Sequence, residues 1–340
     1  MAYTRIFTYS PNLQTLQGLS VLGGTSPTFS TTKAFTNTHT LRFTSSNYCV
    51  GYAFTGTSKI TANCWINHAG VATNGKAALC AWQEGADLYA MYWDQAAATL
   101  KLDKGATNLA STAIGPTGLT ATDTWLSVGV NVYANSSGYA TMYVSGTNVF
   151  TYSGDLGSSI TEFYSPGRYS ATTAWSSYLY MDDFYIDDSV GESDVVPTVK
   201  RFQYSEPDGN GSTNDMTVVG AASNYQAVDE VGVNDDTDYI YADQSGDRDL
   251  FTTANVTSPA NYGIKWAIPM IYVKRTNASV TSQIKFVTHD GTNTEVSTAQ
   301  TPSTTYDILF HRFDNQPDST EWNDTDFNAM EFGVESAGTF

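Results

Sequence analysis

Glu84, Glu162 and Glu192 are the glutamates of the first 200 residues, and their spacing bears on whether the chain cleaves glycosidic bonds. A retaining glycosidase needs two carboxyl groups roughly 5 Å apart, an inverting one roughly 6.5–9.5 Å. Three scattered glutamates, none in an E-x-D-x-x-E cluster on one strand, do not supply such a pair. Asp182 with Asp183, and Asp187 with Asp188, are neighbours on or beside a predicted strand, where successive side chains point to opposite faces. Each pair is read as one Asp bonding a turn and one solvated. His39, His68, His289 and His311 lie far apart, outside any G-x-S-x-G or HExxH context. His68 is read as ending a strand at a turn, and His311 as facing solvent or a polar partner. No zinc-ligand spacing joins these histidines to the cysteines. Glycan hydrolysis is therefore the least supported function.

Calcium is the one cofactor to consider, and none is required. Asp229, Glu230, Asp235, Asp236, Asp238, Asp243, Asp247 and Asp249 crowd one loop-rich segment, and hard cations take six to eight oxygens. Asp235, Asp236 and Asp238 are the candidate ligands, although the segment lacks EF-hand spacing. The competing reading is a solvated acidic loop paired by Arg248. Exposed aromatics stack on sugar rings, and Trp82, Trp93, Trp175 and Tyr178 are candidates. Trp175 and Tyr178 are taken as the ligand-binding pair. Trp175 serves equally well as a subunit contact, and Trp65 and Trp125 are assigned to the core.

The elements that must position these residues are strands. TLRFTSSNYCVGYAF (40–54), SKITANCWINHAG (58–70), AALCAWQ (77–83), DLYAMYWD (87–94), TWLSVGVNVYANSSG (124–138) and SYLYMDDFYIDD (177–188) are β-branched and aromatic runs. Tyr139 to Val144 alternates strictly, and Ser145 to Asn148 is a hairpin turn. Many short strands at regular intervals predict an all-β sandwich or jelly roll. A small, acidic stretch from Ser189 to Asp194 marks a linker between residues 1–190 and 195–340. Beyond it strands resume, at 198–207, 216–220, 239–243, 262–276, 282–290 and 305–314, and 317–330 reads as one short helix capped by Thr325 or a neighbouring Asp. The second domain is thus β-sandwich-like. Residues 1–36 are either an extended docking arm or the first sandwich strand.

The chain has 340 residues and a formal charge of -18, yet only 15% of its residues are charged. The acidity gathers in the linker and the second domain. Such a surface repels phosphate backbones and anionic headgroups, which excludes nucleic acid and membranes as partners. No basic region followed by an apolar run opens the chain, so no signal peptide is expected. Cys49, Cys64 and Cys80 are odd in number and lack CxxC spacing. They are read as free, partly buried thiols, with one bridge across neighbouring strands as the alternative.

Residues 58–188 resemble a laminin-G-like, concanavalin-type jelly roll. The likeness rests on Lys59 to Ile66, Thr124 to Val130, the hairpin from Tyr139 to Asn148, and the closing strand Tyr180 to Ile186. The second half resembles tailed-phage virion proteins that carry such a domain. It does so through Tyr225 to Glu230, Asp235 to Ile240, Gly246 to Phe251, and Trp322 to Val334. The resemblance implies a non-enzymatic bacteriophage virion surface protein, a decoration or accessory component of capsid or tail. Its implied partners are other virion proteins and itself as a homo-oligomer, assembled in the host cytoplasm. A tail-associated receptor-binding protein that adheres to a host surface glycan is the alternative.

Overall fold

The computed structural model describes residues 4–9, 20–22, 27–32, 40–44, 49–69, 75–113, 119, 122–164, 178–188, 205–229, 236–258, 263–264, 266–276, 278 and 281–340. The chain divides into two compact units, Met1–Phe202 and Gln203–Phe340. The linker expected from Ser189 to Asp194 lies outside the described residues, as does most of 1–36.

The first unit is a two-sheet sandwich of antiparallel strands. These are β1 (Thr4–Tyr9), β2 (Ser20–Leu22), β3 (Thr28–Ser30), β4 (Thr40–Thr44), β5 (Cys49–Thr57), β6 (Lys59–His68), β7 (Lys76–Glu84) and β8 (Asp87–Asp94). They continue with β9 (Thr99–Lys104), β10 (Thr107–Ala113), β11 (Leu126–Tyr133), β12 (Gly138–Val144), β13 (Thr147–Gly154), β14 (Ile160–Tyr164) and β15 (Tyr178–Asp188). One sheet runs β13-β12-β11-β6-β15-β4-β3, with β1 also on β15, and the other β10-β9-β8-β7-β14-β5-β2. Ser145 and Gly146 take φ of 49° and 81°, the two left-handed residues that a tight two-residue hairpin demands between β12 and β13.

Alternation drives the sheets together. Ile60, Ala62, Cys64 and Ile66 of β6 face Leu79, Trp82, Met91 and Leu102 across the interior. Trp82 and Tyr89 stack there at 5.4 Å with planes 2° apart. Trp82 and Trp93 are therefore core residues, at 0% and 4% exposure, rather than sugar platforms. Trp65 does not join that core: it is buried on the opposite face of its sheet, and Trp125 is half-buried just before β11. Cys64 and Cys80 are free thiols lining one small cavity between the sheets. A bulge between Ala78 and Cys80 brings Cys80 into phase with the interior.

The second unit holds β16 (Pro207–Asn214), β17 (Thr217–Val219), β18 (Tyr239–Tyr241), β19 (Arg248–Thr253), β20 (Met270–Val273), β21 (Gln283–His289), β22 (Thr294–Val296), β23 (Asp307–Phe310), α1 (Asp324–Ala329) and β24 (Glu331–Ala337). A sheet in the order β16-β19-β24-β21-β22 is joined by the ribbons β17-β18 and β20-β23. Phe286, Phe313, Trp322, Met330, Phe332 and Val334 form its core. Four expectations are corrected here. The helix is shorter than 317–330 because the Asp318 carboxylate turns the preceding chain, accepting from the backbone N and hydroxyl of Thr320 at 2.9 and 2.6 Å. Its cap is Asn323, in extended conformation, whose side chain accepts from Asp326 N at 3.0 Å. Asn323→Ala should lower the stability of this unit by about 1 kcal/mol, measurable by urea unfolding. Arg248 pairs not with the acidic loop but with Glu335 across β24, which Lys285 also reaches at 2.9 Å. His311 meets aromatic rings, stacked on Phe286 at 6.3 Å and edge-on to Phe313 at 4.7 Å, so burial lowers its pKa.

Candidate functional site

The outer face of the larger sheet is built by the polar half of the same alternation. On β6 the residues between the core positions are Lys59, Thr61, Asn63, Trp65 and Asn67, all buried. On β11 they are Ser127, Gly129, Asn131 and Tyr133, placed opposite by register: Ser127 to Trp65, Gly129 to Asn63, Asn131 to Thr61 and Tyr133 to Lys59. β12 adds Tyr139, Thr141 and Tyr143 beside Tyr133, Asn131 and Gly129.

β15 reaches this face through a bulge. Asp182 pairs with Trp65 but Tyr185, three residues on, pairs with Asn63, so one extra residue is accommodated. Asp183 absorbs it at φ 48°, a conformation Asp tolerates better than most residues, and its backbone N donates to Asp182 Oδ1 at 2.9 Å. Asp182, Tyr185 and Asp187 then share the outer face, while Met181, Phe184 and Ile186 stay in the core. The expected pattern of one bonded and one solvated aspartate fails here. Asp182 and Asp183 are 0% exposed and Asp187 is 1% exposed, whereas the half-buried Asp188 accepts from Thr57 Oγ1 at 3.1 Å.

Two rows of side chains result. One reads Thr141, Asn131, Thr61, Asp187; the next reads Tyr143, Gly129, Asn63, Tyr185. Asn63 Nδ2 donates to Ser127 Oγ at 2.8 Å, but its Oδ1, the Thr61 hydroxyl, Asn67 Oδ1 and the Tyr139 hydroxyl are buried with no hydrogen-bond partner among the described residues. Each such atom costs about 1–3 kcal/mol of desolvation unless something polar meets it. Toward β13 the face opens: Tyr139 and Tyr143 are half-buried, and Asn148 and Thr151 are exposed. The Tyr133 and Tyr139 rings lie 5.9 Å apart, with Lys59 Nζ 5.8 Å from the Tyr139 centroid.

The residues singled out from sequence lie elsewhere. Tyr178 begins β15, donates its hydroxyl to the Asp123 carboxylate, and packs 5.0 Å from Tyr180. That hydrogen bond pushes its phenol up to about 12. Trp175 and Asp235 lie outside the described residues. Asp236 receives both Lys274 Nζ, at 2.6 and 2.9 Å, and the Tyr306 hydroxyl, at 2.7 Å. Lys274, first among these, holds the Asp236 carboxyl below its usual range. Asp238 is half-buried, Asp247 accepts from the backbone of Asp243 and Gln244, and Asp249 is bonded in the interior. No group of three or more His, Cys, Asp or Glu side chains able to hold a metal occurs among the described residues. Glu84 accepts from Ser158 N at 3.1 Å and Glu162 from the Tyr164 hydroxyl at 2.6 Å, while Glu192 lies outside the described residues.

No protein-family model matches the chain, and no curated protein matches it. Solved structures similar to part of it include an endo-beta-1,4-glucuronan lyase from the fungus Trichoderma reesei, at 11% identity over 54% of this chain and 95% of that one, with a TM-score of 0.38. Domain 4 of AbnA, an extracellular arabinanase from Geobacillus stearothermophilus, in complex with arabinotriose, is 11% identical over 55% and 94%, TM-score 0.39. An alginate lyase from Chlorella virus is 11% identical over 54% and 100%, TM-score 0.39. At these scores the likenesses carry no argument about activity. The all-β sandwich class rests on the strands themselves.

Proposed function

We propose that this chain is a non-enzymatic surface protein of a bacteriophage virion, held on capsid or tail by neighbouring virion proteins and by copies of itself. Its first unit is the adhesive part. The observation that carries this reading is the open side of the large sheet at β12 and β13, where Tyr139 and Tyr143 are half-buried and Asn148 and Thr151 are exposed. The sequence likeness of 225–251 and 322–334 to tailed-phage proteins supports the particle. A binding role is favoured over catalysis because Glu84 and Glu162 are spent on a loop and a tyrosine.

Quantitative mass spectrometry and antibody labelling of intact particles test the assignment. Hundreds of copies on the head identify a decoration protein. A few at the tail tip identify the receptor-binding alternative. Absence from purified particles overturns the proposal, and depolymerisation of host polysaccharide by the purified chain overturns its non-enzymatic part.

A further inference from the structure

We infer that Cys64 and Cys80 are the two halves of a disulfide that staples the sheets of the first unit together, and that the folded sandwich seals in the redox state in which it folded.

The pair comes from opposite sheets. Cys64 lies on β6 among the inward residues Ala62 and Ile66, and Cys80 lies on β7, turned inward by the bulge after Ala78. Both are 3% exposed. Both line one cavity of about 10 Å³, just room for the centre of a water-sized sphere. Phe163 and Phe184 line the same cavity and stack on each other at 6.1 Å, one from each sheet. The sheets are thus in side-chain contact at this level, and the two thiols face one void.

A disulfide takes Cα atoms within about 7 Å and Cβ atoms about 4 Å apart, a spacing that facing positions of two packed sheets can meet. Immunoglobulin-type sandwiches carry such an inter-sheet bridge in their core. Here the bond would draw both sulfurs into the void and add no atom to a packed interior. Cys64 Sγ donates weakly to Val128 O at 3.9 Å, a contact that the bridge gives up at small cost.

The chemistry runs through thiolates. One cysteine thiolate attacks a sulfur of oxidised glutathione, forming a mixed disulfide and expelling one glutathione thiolate. The other then attacks the cysteine sulfur of that mixed disulfide and expels the second glutathione. The cysteines lose two electrons and two protons, and the oxidant leaves as two reduced glutathiones. The folded unit blocks both steps. Its cavity cannot admit a tripeptide, and burial raises the pKa of both thiols, so thiolate is scarce. The bond therefore forms, or is reduced, only while the sheets are apart.

The test is a refolding experiment on the full chain carrying Cys49→Ser, which removes the third thiol. Refolded from urea in dithiothreitol, the chain should keep both thiols. Refolded with oxidised glutathione, it should lose the mass of two hydrogens, carry no glutathione adduct, and yield a peptide joining Cys64 to Cys80. The bridged first unit should melt about 6–12 °C higher, because the bond closes the short loop from Trp65 to Leu79. The reduced, folded chain held with the same oxidant should stay reduced until urea opens it. Peptide mapping of the unaltered chain should find the same link, so the test does not depend on how Cys49→Ser folds. Glutathione adducts in place of the bridge, a bridge to Cys49 instead, or a bridged first unit that melts lower than the reduced one overturns the staple. Oxidation of the folded chain as fast as the unfolded one overturns the seal.

Discussion

Between pH 6.5 and 4 the first unit should lose about 3 kcal/mol of folding free energy, and replacing His68 should remove most of that loss. His68 is the last residue of β6, 0% exposed, with its ring edge-on to Trp93 at 6.4 Å. Burial pulls its pKa from 6.5 to about 4, against the opposing pull of the Leu119 backbone and the Asp123 carboxylate. The unfolded chain thus takes up a proton near pH 6.5 that the folded chain refuses until near pH 4. A depressed folded pKa means stability that is whole above pH 6.5 and drains away as pH falls through the window. Tyr178, bonded to Asp123, stays neutral throughout. Urea unfolding of the full chain by tryptophan fluorescence at pH 7.5, 5.5 and 4.5 measures the effect. His68→Gln should flatten the pH dependence of the first unit's transition above pH 5, where carboxylates contribute least. A native slope no steeper than the variant's would refute the assignment.

Asp249→Ala should cost the second unit about 3–5 kcal/mol at pH 7. Asp249 lies on β19 between β16 and β24 and is 0% exposed. Its carboxylate accepts from Met216 N at 2.9 Å and Asn224 Nδ2 at 2.5 Å, and Asn224 Nδ2 also donates to Met216 O at 2.9 Å. Burial raises its pKa even though these donors favour the ionised form. Alanine strands two buried donors at once. β24 also presses close on this strand: a Cβ at Gly333 would lie 1.9 Å from the Asp249 carbonyl oxygen. Asp249→Asn, which keeps an acceptor for Met216 N, should cost about half as much. Equal unfolding midpoints for native and alanine chains would show that the tie is not structural.

The hairpins and the long strands were legible because each needs only local signals. KITANCWINH alternates apolar and polar, and a small polar turn followed by a second alternating run reads directly as β12 and β13. The same alternation held the outer face: Thr61, Asn63 and Asn131 are the polar positions of two apolar strands. They went unselected because asparagine and threonine are neither titratable nor nucleophilic, and only register puts them side by side. β16 was unreadable for another reason. Its sequence PDGNGSTN has the composition of a turn, and it is a strand because β19 pairs with it, irregularly, at one edge of the sheet. Trp82 and Trp93 show the limit of composition. An aromatic on a strand fits a sugar platform or a core equally well, and only the opposing sheet decides.

The extra residue in β15 gives that strand two reading frames. Alternation counted from Tyr178 puts odd positions inward up to Met181; after Asp183 the even positions, Phe184 and Ile186, are inward. Chain length and backbone conformation are therefore coupled at this point. Replacing Asp183 with Asn or Gly keeps both frames, since each accepts the left-handed backbone. Deleting it joins Asp182 to Phe184 and restores plain alternation, with Phe184 and Ile186 still inward and Tyr185 and Asp187 still outward. A β-branched residue there resists the left-handed backbone, and a strand straightened at full length would turn phenylalanine and isoleucine out onto the polar face. Among close homologues position 183 should therefore be Asp, Asn or Gly, or be absent altogether.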